Sequence, residues 1–185
     1  MDIIRKLQQY THDANGGFTN KTQIQYEDTA FNNLVFTGYD LNNTQFLEVT
    51  FADCDFSDVY LSGSNFSGST FFKCIFRNNT FRKGKAEYAA LNQMTVQALD
   101  AFRTSFYHAD FQHLVIDHCI MQMCFFSRAS FKDVTFQDTD LSDANFSHAN
   151  FSNVKFIRCI LKETNFNNVS GFENTEFLSC STHLD

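Results

Sequence analysis

Residues 143–152 read Asp-Ala-Asn-Phe-Ser-His-Ala-Asn-Phe-Ser, so one five-residue unit is written twice in succession. Each unit has a small residue, an amide or acid, a large apolar centre and two polar positions. A period of five fits neither a helix nor a flat strand, but it fits a chain that turns a corner at each unit. The same phase extends in both directions, with these apolar centres: Phe31, Phe36, Leu41, Phe46, Phe51, Phe56, Leu61, Phe66, Phe71, Phe76, Phe81, Phe106, Phe111, Ile116, Met121, Phe126, Phe131, Phe136, Leu141, Phe146, Phe151, Phe156, Leu161 and Phe166.

The position two residues before each centre is mostly small, as at Cys54, Ser64 and Ala144. A longer period is visible as well, because the Leu and Met centres fall in one class of a twenty-residue count: Leu41, Leu61, Met121, Leu141 and Leu161. Four units therefore make one coil, and successive coils stack with a rise of about 4.8 Å. These patterns predict an all-β solenoid in which large and small side chains alternate inward.

Three consecutive units at residues 138–152 read Asp-Thr-Asp-Leu-Ser, Asp-Ala-Asn-Phe-Ser and His-Ala-Asn-Phe-Ser. They resemble the A(D/N)LXX unit of the pentapeptide repeat family, and the resemblance extends from about Tyr26 to Thr182. It implies a right-handed quadrilateral β-helix with the Phe or Leu and the small residue inside. Several bacterial members of this family resemble B-form DNA in width and charge, bind type II topoisomerases and protect them from quinolones or peptide toxins. Other members have other partners.

We expect one domain with five segments: an N-terminal cap (1–25), a first part of the solenoid (26–83), an insertion (84–104), a second part (105–169) and a phase-shifted C-terminal cap (170–185). The N-terminal cap is predicted to contain a short helix over residues Asp2–Tyr10, which closes the end of the core. At the other end, Gly171 and Phe172 shift the phase of the repeat by one residue.

The segment 84–104 lacks the Phe phase and is predicted to form an amphipathic helix. One side of its helical wheel is apolar: Tyr88, Leu91, Met94, Ala98, Leu99 and Phe102. We expect this side to pack on outward apolar residues of the third and fourth faces: Tyr60, Tyr107, Ile120, Met123 and Phe125. The alternative is a degenerate fourth coil, since the twenty-residue register is preserved, with these centres: Ala86, Leu91, Val96 and Ala101. The helix is favoured because small centres underfill the core, and Met94 and Leu99 are too large for the small position.

The chain is acidic, with 21 Asp and Glu residues against 14 Lys and Arg residues and a net charge of −7. This charge argues against direct nucleic-acid binding, which needs a basic surface. No apolar run reaches membrane-spanning length, and the N-terminus lacks the apolar stretch of a signal peptide, so we expect a cytoplasmic protein without membrane contact. The apolar C-terminal helix of the dimerising topoisomerase-binding members has no counterpart, which leaves the oligomeric state open.

Residue patterns typical of catalysis are missing from the sequence, including a nucleophile–base–acid set, a phosphate loop and paired carboxylates. His108, His113 and His118 take the same position in successive units, so they are predicted at three corners about 10 Å apart, too far to share a metal ion. We therefore expect no catalytic, metal or cofactor site. The six cysteines fall mainly at the small inward position and are expected to be free, buried thiols.

These observations favour a non-enzymatic rod that binds a protein. The sharpest hypothesis is a DNA mimic that modulates or protects DNA gyrase or topoisomerase IV. A general interaction scaffold, or a secreted effector with an unrelated partner, is the alternative, and an enzyme built on a solenoid is a third, more distant class. The candidate contact residues are acids of the first two faces and polar residues of the expected helix: Asp53, Asp58, Asp133, Asp138, Asn92, Gln93, Gln97, Asp100 and Arg103.

Overall fold

The computed structural model describes residues 25–182, which contain twelve β-strands and one 3₁₀ helix. The predicted helix over Asp2–Tyr10, like nearly all of the N-terminal cap, lies outside the described residues. The 3₁₀ helix covers Phe172–Asn174. The strands in chain order are β1 (Gln25–Glu27), β2 (Ala30–Asn32), β3 (Gln45–Leu47), β4 (Thr50–Ala52), β5 (Thr70–Phe72), β6 (Ile75–Arg77), β7 (Ala90–Asn92), β8 (Thr95–Gln97), β9 (Asp110–Asp117), β10 (Ser130–Gln137), β11 (Asn150–Ile157) and β12 (Glu176–Leu178).

The strands pair in parallel, and each pair joins two successive coils. Phe131 of β10 lies opposite Phe111 of β9 and Phe151 of β11, so equivalent positions recur once per coil of four units. Isolated bridges such as Ser105 with Phe125 continue the same register around the rest of each coil. The predicted all-β solenoid is therefore confirmed.

Four sides follow one another in each coil, and we number them by their central residues. Side 1 is centred on Phe131 in one coil, side 2 on Phe136, side 3 on Leu141 and side 4 on Phe146. The equivalent residue of the next coil stacks directly on each centre. Two polar positions follow each centre and form the corner that leads to the next side.

The core is a stack of aromatic rings along the rod. On side 1 the rings of Phe111 and Phe131 have centroids 4.7 Å apart and an interplanar angle of 9°. On side 2 Phe136 and Phe156 are 5.0 Å apart and 3° from parallel. Aromatic pairs in such arrangements add about 0.5–1.5 kcal/mol to the gain from burial. The predicted inward orientation of the Phe and Leu centres is confirmed by their burial.

The corners of the regular units, from Asp28 to Asn168, use a left-handed backbone conformation at the last position of the unit. Asp143 and His148, for example, both have a φ of 59°. On sides 3 and 4 the corner is a hydrogen-bonded turn, in which the Ala144 amide donates to the Leu141 carbonyl at 3.0 Å. A positive φ at the third residue of such a turn is the mark of type II. Asn, Asp and His tolerate this conformation better than other non-glycine residues, which explains their frequency at this position.

Two other positions of the unit form hydrogen bonds that favour particular residue types. The residue before the centre accepts a bond from the corner, as Asn145 Oδ1 does from the Ser147 amide at 2.9 Å. The small inward residue donates to the preceding coil, as the Ser69 hydroxyl does to the Phe46 carbonyl at 2.9 Å. The Phe and Asn of the Ala-Asn-Phe-Ser pattern thus record a packing requirement and a hydrogen-bonding requirement of the corner. Where the small position is Ser, its hydroxyl adds a bond between coils.

The cysteines occupy the same inward position and are free thiols. Cys159 Sγ donates to the Phe136 carbonyl at 3.4 Å, and Cys124 Sγ donates to the Ala101 carbonyl at 2.9 Å. Burial raises the pKa of Cys159 to about 11, because the charged thiolate loses its hydration there. Cys124 and Cys159 are therefore protonated donors that bond one coil to the next.

The expected helical insertion at 84–104 is wrong, because this segment forms strands and corners of the solenoid. β7 pairs with β5 and β9, which places Leu91 between Phe71 and Phe111. β8 pairs with β6 and β9 and places Val96 in the same way on side 2. The alternative interpretation, a fourth coil with degenerate centres, is the correct one.

The fourth coil fits because its large and small positions are exchanged. Its centres Ala86, Val96 and Ala101 are small, whereas the inward positions that are small elsewhere carry Met94 and Leu99. Both long side chains are buried and fill volume that large centres fill in other coils. The apolar residues of the helical wheel lie three or four positions apart, at Tyr88, Leu91, Met94, Ala98 and Phe102, and the segment therefore matched the period of a helix.

Phe81 compensates for the small Ala86 on side 4. A Cβ atom at residue 84 would overlap the Phe81 ring, so Gly84 provides the space in which this ring lies. The ring packs edge-on between Phe66 and Phe106, with centroids 5.6 and 6.2 Å away. It thereby replaces the ring that this column lacks at position 86.

A cavity of about 30 Å³ remains beside the fourth coil. Its lining is apolar and includes Leu91, Val96, Leu99 and Met121. A void with no polar group to hold a water molecule stays dry, and its lining loses dispersion contacts. The exchange of large and small residues is therefore an imperfect substitute for the ring stack.

The repeat changes phase near the C-terminus, as Gly171 and Phe172 predicted. Gly171 has a φ of 75° and directly precedes the 3₁₀ helix. β12 then pairs with β11 so that Phe177 lies opposite Phe156. Their rings stack 5.1 Å apart, which continues the side 2 column to the end of the described chain.

Phe136→Ala should lower the free energy of unfolding by about 3–5 kcal/mol, because it removes a fully buried ring from the stack between Ile116 and Phe156. Gln137→Ala, at the neighbouring outward position, should change it by less than about 0.5 kcal/mol. Chemical denaturation followed by circular dichroism measures both. Equal losses in the two variants would show that the inward assignment of this phase is wrong.

Val96→Ile should raise the free energy of unfolding by up to about 0.8 kcal/mol, because the added methylene enters the cavity beside the fourth coil. Val134→Ile is the matched control. Val134 is fully buried in a coil with Phe centres, so the same addition there should destabilise the protein by about 1–3 kcal/mol. Denaturant midpoints compare the two variants, and a loss in both would mean that position 96 has no access to the cavity.

Candidate partner-binding surfaces

The four aspartates predicted to contact a partner all lie at corners of the solenoid. Asp53 and Asp133 follow side 1, and Asp58 and Asp138 follow side 2. Within each pair the residues are four coils apart, which is about 19 Å along the rod. The structure therefore places the four acids on two neighbouring edges but does not bring them into contact.

Stacked neighbours supply partners to three of these acids, and amides are the partners of two. The Asn78 amide donates to Asp58 at 3.2 Å, and the Asn153 amide donates to Asp133 at 2.7 Å. His113 Nδ1 also lies 3.1 Å from an Asp133 oxygen. Amides and an imidazole at equivalent positions of adjacent coils therefore contact these two acids.

Asp138 has the most extensive contacts of the four. Arg158 donates from Nε and Nη2 to its two oxygens at 2.7 and 2.6 Å, which holds the pKa of Asp138 below its usual range. Possible ligand atoms of Asp117, His118 and Asp138 lie within 4.8 Å of one another. Because Arg158 already engages both oxygens of Asp138, this group forms a hydrogen-bonded network and not an open metal site.

The polar residues of the fourth coil are distributed around the rod and do not share one face. Asn92 and Gln93 lie at the corner after side 1, and Gln97 lies at the corner after side 2. Asp100 and Arg103 flank the centre of side 3. The helix interpretation grouped them wrongly, because a solenoid changes direction at every unit.

Sides 3 and 4 bring together cations and rings that the helix interpretation separated. The Arg82 guanidinium lies 4.9 Å from the Phe102 ring centroid, and the Arg103 guanidinium lies 5.2 Å from it. Asp100 Oδ2 is 3.5 Å from Arg82 Nη1, and Arg103 Nε is 3.3 Å from the sulfur of Met123. Both guanidinium groups are therefore held in place by neighbouring side chains.

Aromatic side chains continue this surface at the corner after side 4. The rings of Tyr88 and His108 stack with centroids 5.1 Å apart, and Tyr107 packs edge-on against both. Tyr88 is 61% exposed, while Phe125 on side 4 is 50% exposed and Ile120 on side 3 is 46% exposed. These are large apolar side chains at positions where the repeat normally carries small polar ones.

We call the outward side chains of residues 82–88, 102–108 and 120–128 the aromatic–cationic patch. The three stretches lie one above another on sides 3 and 4. The predicted helix was expected to cover Ile120 and Phe125, but the segment lies within the solenoid and leaves them exposed. The residues of this patch can be found from the sequence once 84–104 is placed in the register of the coils, because the three stretches then align at a spacing of twenty residues.

Side 2 has a shallow groove of about 480 Å³ on its outer surface. Thr95, Val115 and Thr135 line it, together with His113 and Asp133 at one edge. The groove is wide and open, whereas small-molecule sites enclose most of their ligand. Its form suits contact with a macromolecule.

Two sequence families match the chain. The family described as pentapeptide repeat region matches residues 100–166, and the family described as pentapeptide repeats (8 copies) matches residues 29–68 and 40–78. The fourth coil falls mostly between these matches. No curated protein sequence matches the chain. Within the described part of the chain, no helix has the length and apolarity needed to cross a membrane.

Several solved structures are similar to the chain. HetL, a pentapeptide repeat protein involved in heterocyst differentiation regulation in the cyanobacterium Nostoc sp. strain PCC 7120, is 15% identical, with 98% of this chain and 94% of that chain covered and a TM-score of 0.47. Full-length QnrB1, a plasmid-mediated fluoroquinolone resistance protein, is 16% identical, with coverage of 87% and 93% and a TM-score of 0.35. Similarities this low carry no argument about function.

Proposed function

Because the chain belongs to the pentapeptide repeat family, we propose that it is a non-enzymatic rod that binds another protein. The observation that carries this proposal is the set of large apolar side chains exposed on its sides: Tyr60, Tyr88, Ile120 and Phe125. Exposed apolar side chains that gather in one area mark interaction surfaces. The stacked coils hold the backbone beneath them in hydrogen bonds, so a partner meets a surface that needs little ordering on binding.

The sharper form of the proposal names the partner as a type II topoisomerase, either DNA gyrase or topoisomerase IV. It is supported by the net charge of −7 and by the two neighbouring edges that carry the four aspartates. In this form, carboxylates of the rod occupy positions that DNA phosphates take on the positive surface of the enzyme.

A scaffold for an unrelated protein is the second candidate. The pairing of Asp133 with His113 and of Asp138 with Arg158 favours it. The guanidinium of Arg158 neutralises Asp138, and His113 occupies one oxygen of Asp133. A mimic of DNA depends on carboxylates that are free to meet the partner. The two candidates therefore differ in how strongly binding depends on the acids.

The test is a quadruple Asp→Asn variant of these positions: Asp53, Asp58, Asp133 and Asp138. The matched control replaces four acids at the same unit position on sides 3 and 4 with their amides: Asp28, Glu48, Asp143 and Glu163. Binding of both variants to purified gyrase and topoisomerase IV is measured over a range of salt concentrations. If the acids replace phosphates, the first variant should bind about tenfold or more weakly and show a smaller salt dependence, while the control keeps native affinity.

Equal affinities of the two variants would contradict the DNA-mimic form of the proposal. If the native chain fails to bind either topoisomerase at micromolar concentration, the scaffold is the remaining candidate. Melting temperatures of both variants serve as the folding control, since exposed corner substitutions should change stability little.

A further inference from the structure

The aromatic–cationic patch is confined to three successive coils. Directly below it, residues 62–68 read Ser-Gly-Ser-Asn-Phe-Ser-Gly, and directly above it residues 142–148 read Ser-Asp-Ala-Asn-Phe-Ser-His. In each flanking stretch the Phe is the buried centre and does not face outward. The outward side chains of both stretches are mostly small and polar. The patch, with a surface of roughly 14 Å by 20 Å, is therefore a local departure from the repeat on side 4 and its corner. On side 3, exposed Tyr60 continues the apolar surface one coil further.

The fold does not need large side chains at these outward positions. Tyr88, Phe125 and Ile120 each leave about half of their surface in contact with solvent. Aromatic residues, Met and Arg are enriched in the buried centres of protein interfaces, and Tyr and Arg are frequent among the residues that dominate binding energy. The composition of the patch thus matches a protein-binding surface more closely than a solvated one.

The patch is positive, although the chain as a whole carries a net charge of −7. Its cations are Arg82, Lys83, Lys85, Arg103 and Arg128. One carboxylate, Glu87, lies within the patch and accepts a hydrogen bond from the Ser105 hydroxyl at 2.7 Å. Asp100 borders the patch and contacts Arg82 at 3.5 Å. The patch therefore attracts negative charge through cations that these two carboxylates do not neutralise.

Two of the cations are arranged before any partner arrives. Arg82 and Arg103 both lie close to the ring of Phe102, at 4.9 and 5.2 Å. A guanidinium that stacks on a ring loses little further freedom when it binds, and it still has N–H groups that pair with carboxylates in a fork geometry. This arrangement favours carboxylate recognition.

We propose that the aromatic–cationic patch is a docking site for an acidic segment of a partner protein. Carboxylates of the segment pair with Arg82, Arg103 and the neighbouring lysines. Aromatic or aliphatic side chains of the segment pack on Ile120, Phe125 and Tyr88. A width of roughly 20 Å accommodates about six residues of extended chain. The site lies on sides 3 and 4, away from the acidic edges that follow sides 1 and 2, so it is independent of the topoisomerase proposal.

Other occupants fit the patch less well. Single-stranded nucleic acid needs open aromatic faces for base stacking, but Phe102 is flanked by two guanidinium groups and Tyr88 is stacked on His108. The exposed aliphatic surface of Ile120 has no role in phosphate binding. If a second copy of this chain were the partner, the acidic edge of one copy would contact the patch of the other. Such a head-to-tail contact leaves both surfaces free at the ends and builds open chains of copies instead of a closed dimer.

The experiment selects binders from a phage-displayed library of random peptides of about twelve residues, twice the length that the patch spans. The native chain is the bait, and individual selected peptides are then measured by fluorescence anisotropy against three variants. Arg82→Gln with Arg103→Gln removes two cations of the patch, and Phe125→Ser removes an apolar contact. Lys73→Gln with Lys132→Gln is the control, because it makes the same change of charge on the edge that follows side 1.

Selected peptides should be rich in Asp and Glu and contain at least one aromatic or aliphatic residue. They should bind the Arg82/Arg103 double variant about tenfold or more weakly, bind Phe125→Ser less tightly and bind the control within about twofold of the native chain. Selected peptides without acidic enrichment, or equal affinity for the patch and control variants, would overturn the proposal. Tighter binding of fluorescein-labelled oligo(dT) than of the selected peptides would also overturn it, in favour of a nucleic-acid surface.

Discussion

Parallel stacking of equivalent positions is the constraint on which the rest of the structure depends. Each unit sits directly on the unit one coil earlier, so each side chain packs against side chains from the same position of the unit in adjacent coils. Inside the rod this produces ring stacks such as Phe136 on Phe156. Outside it produces pairs such as Asp138 with Arg158, and Arg82 with Phe102. The same register of stacked coils therefore determines the contacts in the core and the contacts on the surface.

Much of the fold could be predicted from the sequence, because the residue types within each five-residue unit indicate which positions are buried and which form the corner. A Phe or Leu every fifth residue identifies the buried centres. Residues such as Ala144 and Asn145 mark the two positions that precede a centre. The phase change at Gly171 was also visible, since it shifts every later centre by one residue. These signals need no knowledge of distant contacts.

The fourth coil could not be predicted in this way, because its fit depends on contacts between coils. Met94 and Leu99 are oversized only if the centres beside them are large, and the ring of Phe81 is accommodated only because residue 84 is Gly. A helical wheel takes no account of such exchanges of volume. The error extended to the site, since the wheel put Asp100 and Arg103 with unrelated residues and separated Arg103 from Phe102. The partner contacts of Asp53 and Asp58 stay predictions, because position on an edge does not identify a partner.

The measurement that tests this account most directly is a nuclear Overhauser spectrum of the isotopically labelled protein over residues 85–103. If the segment is a coil, Leu91 should show contacts with both Phe71 and Phe111, and Val96 should show contacts with Phe76 and Ile116. Strong sequential amide–amide contacts along the segment, without those contacts between coils, would contradict the account. That result would also remove the aromatic–cationic patch, which exists only in the register of the stacked coils.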